Sequence, residues 1–253
     1  RDLHVRSRRQ RQMCIRDRHQ HIGAPCTPIV KVGDEVKVGQ KIGESKATIS
    51  APVHSSVSGK VMKIEQMVLS NGQKGEVVVI ESDGLNELGY TETNDDFTQL
   101  SKEVILERIK EAGIVGLGGA GFPTHLKMNK KPDVKIEQVI LNGAECEPYL
   151  TSDQLNMELY PQKAIGGLKI IMKLMDCDKG YIGVEDNKQK AIGILKNASK
   201  DEKNISICSV KTKYPQGDER RLINAITGKK ISKAQRSNER GVQGLNISSA
   251  MAI

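Results

Sequence analysis

From residue 138 to residue 228 the chain alternates short apolar runs with longer stretches of helical period, and that alternation leaves few folds open. The run Gln138-Val139-Ile140-Leu141 is a strand of the buried type. A helix is predicted over 161–175, with Pro161 in the first turn, where its missing N–H is not needed. A strand over 181–184, a helix over 188–198, a strand over 205–210 and a helix over 219–227 follow, the last closed by Gly228. Such alternation predicts a mainly parallel sheet covered on both faces, with ligands beyond the carboxyl ends of its strands.

Residues 28–65 carry a different period. Pro28-Ile29-Val30-Lys31-Val32 and Val36-Lys37-Val38 alternate in twos around a Gly33-Asp34 turn, and Ala51-Pro52-Val53 with Gly59-Lys60-Val61-Met62-Lys63-Ile64 repeats the pattern. This wording resembles the biotinyl/lipoyl barrel-sandwich hybrid. In carrier proteins of that kind the modified lysine stands at a hairpin tip, and Glu44-Ser45-Lys46-Ala47 is superficially similar. Too few residues separate Gly39 from Lys46 to complete the strand leading to such a tip, so Lys46 reads as a surface lysine, with a lipoyl carrier as the minor alternative.

Residues 83–100, with Asp83, Glu87, Glu92, Asp95 and Asp96 among Gly, Asn and Thr, read as a linker. Ser101 then suits a helix N-cap, Val104, Ile105, Ile109 and Ala112 share one face, and Gly113 suits the stop. A chain of 253 residues has room for two such domains. With aromatics at 3% and no Trp, their cores must come from Ile, Val, Leu and Ala.

The formal charge of +8 is concentrated at one end. Residues 1–18 hold seven arginines against two aspartates, whereas the rest of the chain is basic mainly through Lys. That break reads as a non-native or disordered extension over 1–18. A nucleic-acid arm would need stacking aromatics or a basic helical face, and neither is there. No apolar run approaches the ~18 residues that cross a bilayer. The five cysteines are scattered singly, which fits reduced thiols, and Cys146, Cys177 and Cys208 read as buried small hydrophobes.

Gly116-Leu117-Gly118-Gly119-Ala120-Gly121 formally satisfies G-x-G-x-x-G, but a helix precedes it and Pro123 follows, which is not the strand-to-helix setting of the dinucleotide fingerprint. What it offers is a main chain that a flat or phosphorylated ligand can approach closely. Pro123 is placed to start a helix whose amino end would face phosphate, with Lys127 one turn on as a point charge. At 141–149 a strand end carries Asn142, Glu145 and Glu147, two carboxylates so close that each needs a hydrogen-bonding partner. Tyr214-Pro215-Gln216-Gly217-Asp218-Glu219 is a third strand end running into a helix.

The segment Gly118 to Lys127 is similar to the loop shared by C subunits of the Rnf electron transport complex and the NADH-binding flavoprotein subunit of respiratory complex I, and the other two segments match the same families in the same order. The resemblance covers roughly residues 20–253. It implies a barrel-sandwich hybrid over 20–82, a linker over 83–100, and over 101–253 a mainly parallel α/β FMN- and NADH-binding domain, cut before the family's β-grasp-like and ferredoxin-like regions. Gly116, Gly118 and Lys127 would then contact FMN and its phosphate, with Gly119 and Gly121 of the same loop also counted as cofactor-binding, and Phe122 would stack near the nicotinamide. Asn142 and Glu145 would go to the flavin and Glu147 to NADH, while Tyr214, Gly217, Asp218 and Glu219 would contact both. Asn246 and Ser249, in a looser match, would hold the FMN phosphate. Leu117 and Ala144 stand where complex I has charged residues, so those contacts are missing.

The family's two cysteine groups for 4Fe–4S clusters do not occur in this sequence. The resemblance further implies electron transfer between NADH and ferredoxin, indirectly, through FMN and iron–sulfur centres, coupled to ion translocation. The other Rnf subunits would be the partners, at the cytoplasmic side of the cell membrane. A degenerate flavoprotein that only docks other subunits is the rival reading.

Overall fold

The computed structural model describes residues 13–18, 20–69, 72–91, 95–119, 121–129 and 133–253, which fall into two compact units. The first comprises Arg1–Asp96, Lys110–Val115 and Ala120–Pro123. Its strands are β1 (Met13–Asp17), β2 (Thr27–Pro28), β3 (Glu35–Val36), β4 (Lys41–Glu44), β5 (Val53–His54), β6 (Gly59–Val68) and β7 (Lys74–Ser82). β1, β7, β6 and β3 make one antiparallel sheet in that order, and β2, β4 and β5 a second. Val36, Ile42, Val53, Val61, Val78 and Ile80 pack together with Cys26 and Val30 as an aliphatic core, as the near-absence of aromatics requires. A Cβ on Gly59 would lie 2.0 Å from the Glu81 carbonyl oxygen, so only glycine lets β6 approach the end of β7 this closely. Lys46 is exposed in the loop joining β4 to β5.

Two boundaries move. The extension expected over 1–18 is too long: Met13–Asp17 pairs with β7 from Met13 opposite Glu81 to Asp17 opposite Val77, and Arg18 bridges Glu76 at 2.9 Å. An Arg-rich composition had masked a short strand that packs Cys14 against the core between the exposed Met13 and Ile15. Residues 1–12 lie outside the described residues. The linker expected over 83–100 is, in its first part, bound to the first unit. Asp83 accepts from Ser58 at 2.6 Å, Glu87 pairs with Lys37, and Gly89 N–H donates to Val38 at 2.8 Å. Asp83 and Glu87 stay exposed while they bind these neighbours; Glu92 lies outside the described residues.

The second unit comprises Phe97–Ile109, Gly116–Gly119 and Thr124–Ile253. In chain order it carries α1 (Lys102–Glu111) except for its last two residues, then α2 (Thr124–Met128), β8 (Gln138–Gly143), α3 (Ser152–Leu159) and α4 (Pro161–Met175). Then follow β9 (Gly180–Glu185), α5 (Gln189–Ala198), β10 (Ile205–Val210), α6 (Glu219–Thr227), β11 (Val242–Asn246) and α7 (Ile247–Met251). All four strands are parallel, in the order β10-β9-β8-β11. Val139, Ile140 and Leu141 are buried in succession, as a strand covered on both faces demands. On one side Leu168 and Met172 of α4 close over Gly180, and on the other Leu222 and Ile226 of α6 close over Gly183. From β8 the chain winds outward through β9 and β10, then returns to place β11 on the other side of β8. The crevice at the carboxyl ends of β8 and β11 is therefore the topological switch point, where open α/β sheets bind ligands.

The helix predicted over 161–175 and the strand over 205–210 have the expected bounds, whereas α3, β11 and α7 lacked a clear signal. β11 is short and has Gln243 and Gly244 at its centre; the buried Gln243 amide donates to the Gly244 carbonyl at 3.0 Å, which makes a polar residue tolerable there.

Gly166 and Gly167 sit side by side in α4 with opposite surroundings. A Cβ on Gly167 would stand 2.0 Å from the Ala250 carbonyl oxygen of α7, whereas a Cβ on Gly166 would meet nothing within 4 Å. Helix propensity alone favours alanine at both positions by about 1 kcal/mol. Gly166→Ala should raise the urea midpoint accordingly, while Gly167→Ala should lower stability by about 1–3 kcal/mol through overpacking. Equal shifts for the two variants in chemical denaturation would contradict this packing.

Candidate functional site

The register of the parallel sheet sets Asn246 directly opposite Asn142, at the last paired position of β11 and β8. Each asparagine fastens a different loop. The Asn142 amide donates to the Gly217 carbonyl at 2.7 Å and accepts from Ala144 N–H at 3.1 Å, so it ties the loop before α6 to the loop after β8. Asn246 caps α7 by accepting from Ser249 N–H at 3.1 Å, and its amide nitrogen donates to Asp153 at 2.8 Å. Ser249, fully buried, accepts in turn from Leu117 N–H at 2.8 Å.

That last bond docks the glycine loop. A Cβ on Gly118 would stand 2.9 Å from the Asn246 amide nitrogen, so the bare main chain lies against the cap of α7, whereas a Cβ on Gly119 would meet nothing. Gly116 belongs to the same stretch. Gly121 and Phe122 belong to the first unit: Gly121, at φ +66°, accepts from Ile22 N–H at 3.2 Å, and Phe122 is partly exposed. The helix expected at Pro123 is α2, a single short turn. From it the Lys127 ammonium reaches to 4.0 Å from the Glu219 carboxylate, which also accepts from Ser237 at 2.7 Å.

The two carboxylates after β8 resolve their crowding differently. Glu145 takes a left-handed conformation, φ +47°, and its oxygens accept from Asp153 N–H at 2.8 Å, Gln154 N–H at 3.0 Å and Ser152 at 3.2 Å, capping α3. Glu147 is exposed. Between them Cys146, expected to be a buried hydrophobe, is half-buried and accepts from Gly217 N–H at 3.2 Å. A Cβ on Gly217 would be 3.1 Å from that sulfur. Tyr214 is exposed, and Asp218 caps α6 through Arg221 N–H at 3.1 Å.

Several members of this cluster carried no clear signal in the sequence. Asp153 accepts from both Asn246 and Ser248, and burial, with Glu145 and Glu147 adding to it, pushes its carboxyl above the ordinary aspartate range. Gln216 is buried with an unpartnered amide nitrogen, and Thr124 is buried with an unpartnered hydroxyl. Glu185 and Lys188 form a buried ion pair just past the end of β9; the acid and base three residues apart directly after a strand were the available clue. Among the described residues no group of His, Cys, Asp or Glu is placed to hold a metal, and no helix is long and apolar enough to cross a membrane.

Comparison with known proteins gives both units a family. Residues 109–253 match the Nuo51 FMN-binding domain, and residues 2–85 match the RnfC barrel sandwich hybrid domain. The C subunit of the Na(+)-translocating ferredoxin:NAD(+) oxidoreductase complex of Acetobacterium woodii is 45% identical over 96% of this chain and 55% of its own length. Its counterpart in the proton-translocating complex of Clostridium ljungdahlii is 43% identical over 92% and 51%. The chain thus spans about half the length of these relatives. An NAD+-reducing [NiFe]-hydrogenase shares the fold, with a TM-score of 0.54 at 22% identity over 62% of this chain and 31% of that one. The architecture is a barrel-sandwich hybrid followed by a parallel α/β domain of the complex I flavoprotein type.

Asp153 supplies a pH test of the cluster. Because its folded-state pKa is raised, the folded protein holds this proton more tightly than the unfolded chain does. The associated stability is fully present below the unfolded value of about 3.9 and is lost as pH rises through the raised one. Urea unfolding across the weakly acidic range should show wild-type stability falling, relative to Asp153→Asn, as pH increases. Parallel pH profiles for the two proteins would refute a partly buried, desolvated carboxyl here.

Proposed function

The chain belongs to the family of C subunits of the ion-translocating ferredoxin:NAD(+) oxidoreductase complexes, and from that premise we propose that its second unit holds FMN and presents it to NADH. The observation that carries this reading is the meeting of three separate glycine- and acid-bearing segments at the switch point of one parallel sheet. Gly118 lies against Asn246, Gly217 against Cys146, and Lys127 beside Glu219. Bare main chain at Gly119, where a Cβ would meet nothing, suits the close approach of a planar ring, and the unpartnered Gln216 amide and Thr124 hydroxyl offer hydrogen bonds that the fold has not used. The residues present therefore fit the group.

In this assignment Gly116, Gly118 and Gly119 lie along the flavin, Lys127 with Asn246 and Ser249 serves the phosphate, and Asn142 and Glu145 serve the ring. Glu147, Tyr214, Gly217, Asp218 and Glu219 form the nicotinamide side, while Gly121 and Phe122 remain candidates through the family resemblance alone. FMN, when bound, supplies two-electron exchange with the nicotinamide and one-electron exchange onward to iron–sulfur centres. The chain's own residues align the partners, offer charge and hydrogen bonds, and exclude water; no side chain has to donate or accept a proton. In the longer family protein we place this unit, with a barrel-sandwich domain over 20–82, at the cytoplasmic face of the membrane. There it would be held by other subunits and would exchange electrons indirectly with ferredoxin through 4Fe–4S clusters.

One observation favours the rival reading of a docking module that no longer binds flavin: Glu145, Asn246 and Ser249 already have partners within the chain. Anaerobic titration with FMN, followed by flavin fluorescence and then by bleaching with NADH, separates the two. Stoichiometric flavin binding is expected, weakened about 10- to 100-fold in Lys127→Ala by loss of a charged hydrogen bond. A folded chain that takes up no FMN, or a Lys127→Ala variant that binds it as tightly as wild type, would overturn the assignment.

A further inference from the structure

A lysine and a glutamate are buried beneath the site without a part in holding either cofactor. The Lys188 side chain is 5% exposed and that of Glu185 2%, with the ammonium 3.6 Å from the carboxylate. Such pairs seldom stabilise a fold more than apolar residues of the same size would, so their positions call for another explanation. Their remaining bonds supply it. Lys188 donates to the carbonyls of Ala144 at 2.8 Å and Glu145 at 3.3 Å, gripping the loop that leaves β8 at its left-handed residue, and also to the Asn187 side chain at 3.3 Å. Glu185 accepts from Lys213 N–H at 3.4 Å, on the loop that leaves β10 just before Tyr214. One ion pair thus holds two loops: the one presenting Glu147 and the one presenting Tyr214 to Glu219.

We propose that the Lys188–Glu185 pair is a positioning element that sets the spacing of these two loops and thereby the affinity for the nicotinamide nucleotide, leaving the flavin-phosphate end of the site untouched. The inference rests on the FMN/NADH reading for its consequence but not for its geometry. Glu145 has a second anchor, its carboxylate on α3, so loss of Lys188 frees the loop beyond Glu145 without unfolding the strand or releasing that side chain. Cys146, in that loop and in contact with Gly217 of the other, is a built-in reporter of their separation.

The test uses Lys188→Met together with the double variant Glu185→Gln/Lys188→Met, in which no charge is left stranded, and Lys188→Arg as the conservative change. Without any cofactor, alkylation of Cys146, followed by peptide mapping, should accelerate about tenfold or more in the first two while Cys208 keeps its wild-type rate, as local opening requires. With FMN bound, flavin affinity should stay within about threefold of wild type, while the NADH concentration that half-saturates flavin reduction rises about 10- to 100-fold, the penalty for displacing a binding group by about an ångström. Adding Glu147→Gln to the double variant should then change little, and Lys188→Arg should recover part of the loss. Unchanged Cys146 reactivity in a cooperatively folded double variant overturns the proposal. So does a joint rise at Cys146 and Cys208 with loss of FMN, which marks general loosening. If the wild-type chain takes no FMN, the functional reading fails, and the thiol measurement alone still decides whether the pair positions the loops.

Discussion

The pairing of β8 with β11 constrains everything else in the second unit. Because the sheet is parallel and its order reverses there, the register that sets Asn246 opposite Asn142 brings two side-chain amides to one crevice from strands about a hundred residues apart in sequence. Each amide then has only local work to do. Asn142 gathers the loop before α6, and Asn246 starts α7 and supports the glycine loop from beneath. A shift of one residue in that register would put the two amides on opposite faces of the sheet.

Three helix amino ends converge on the same region, and a side chain from a loop or strand end caps each: Glu145 on α3, Asp218 on α6, Asn246 on α7. Capping satisfies N–H groups that a helix cannot satisfy internally. Here it also fixes the relative placement of segments that propensity leaves undefined. Beneath the caps, Lys188 and Glu185 bind main-chain groups of two loops, so the acidic residues above rest on an internal framework rather than on a mobile surface.

Much of this was legible in the sequence. Period alone identified α4, β10 and α6, because long amphipathic stretches and compact β-branched runs are governed by burial. Of the three segments proposed for the cofactors, those at 141–149 and 214–219 were readable as strand ends carrying amide and acid, and 116–121 as a glycine loop. β11 was not, since Gln243 and Gly244 interrupt its apolar pattern and the polar side chain is satisfied by its neighbour's carbonyl, a compensation visible only in space. Asp153 and Lys188 escaped for a similar reason: an acid in the first turn of a helix and a lysine just before another read as solvated residues until the fold partly buries the first and fully buries the second. The strand Met13–Asp17 was hidden by arginine, and the bonds of Asp83 and Glu87 were not visible because their partners, Ser58 and Lys37, are remote in sequence.

The bonds of Glu145 have a further consequence. Three of the four lone-pair positions of its carboxylate are committed to the first turn of α3, so a ligand hydrogen offered to this residue has one position left, on the oxygen that accepts only from Gln154 N–H. A second ligand hydrogen would have to displace a bond of the helix terminus. The residue is thus open to a single donor arriving from one direction, a selectivity that needs no steric barrier.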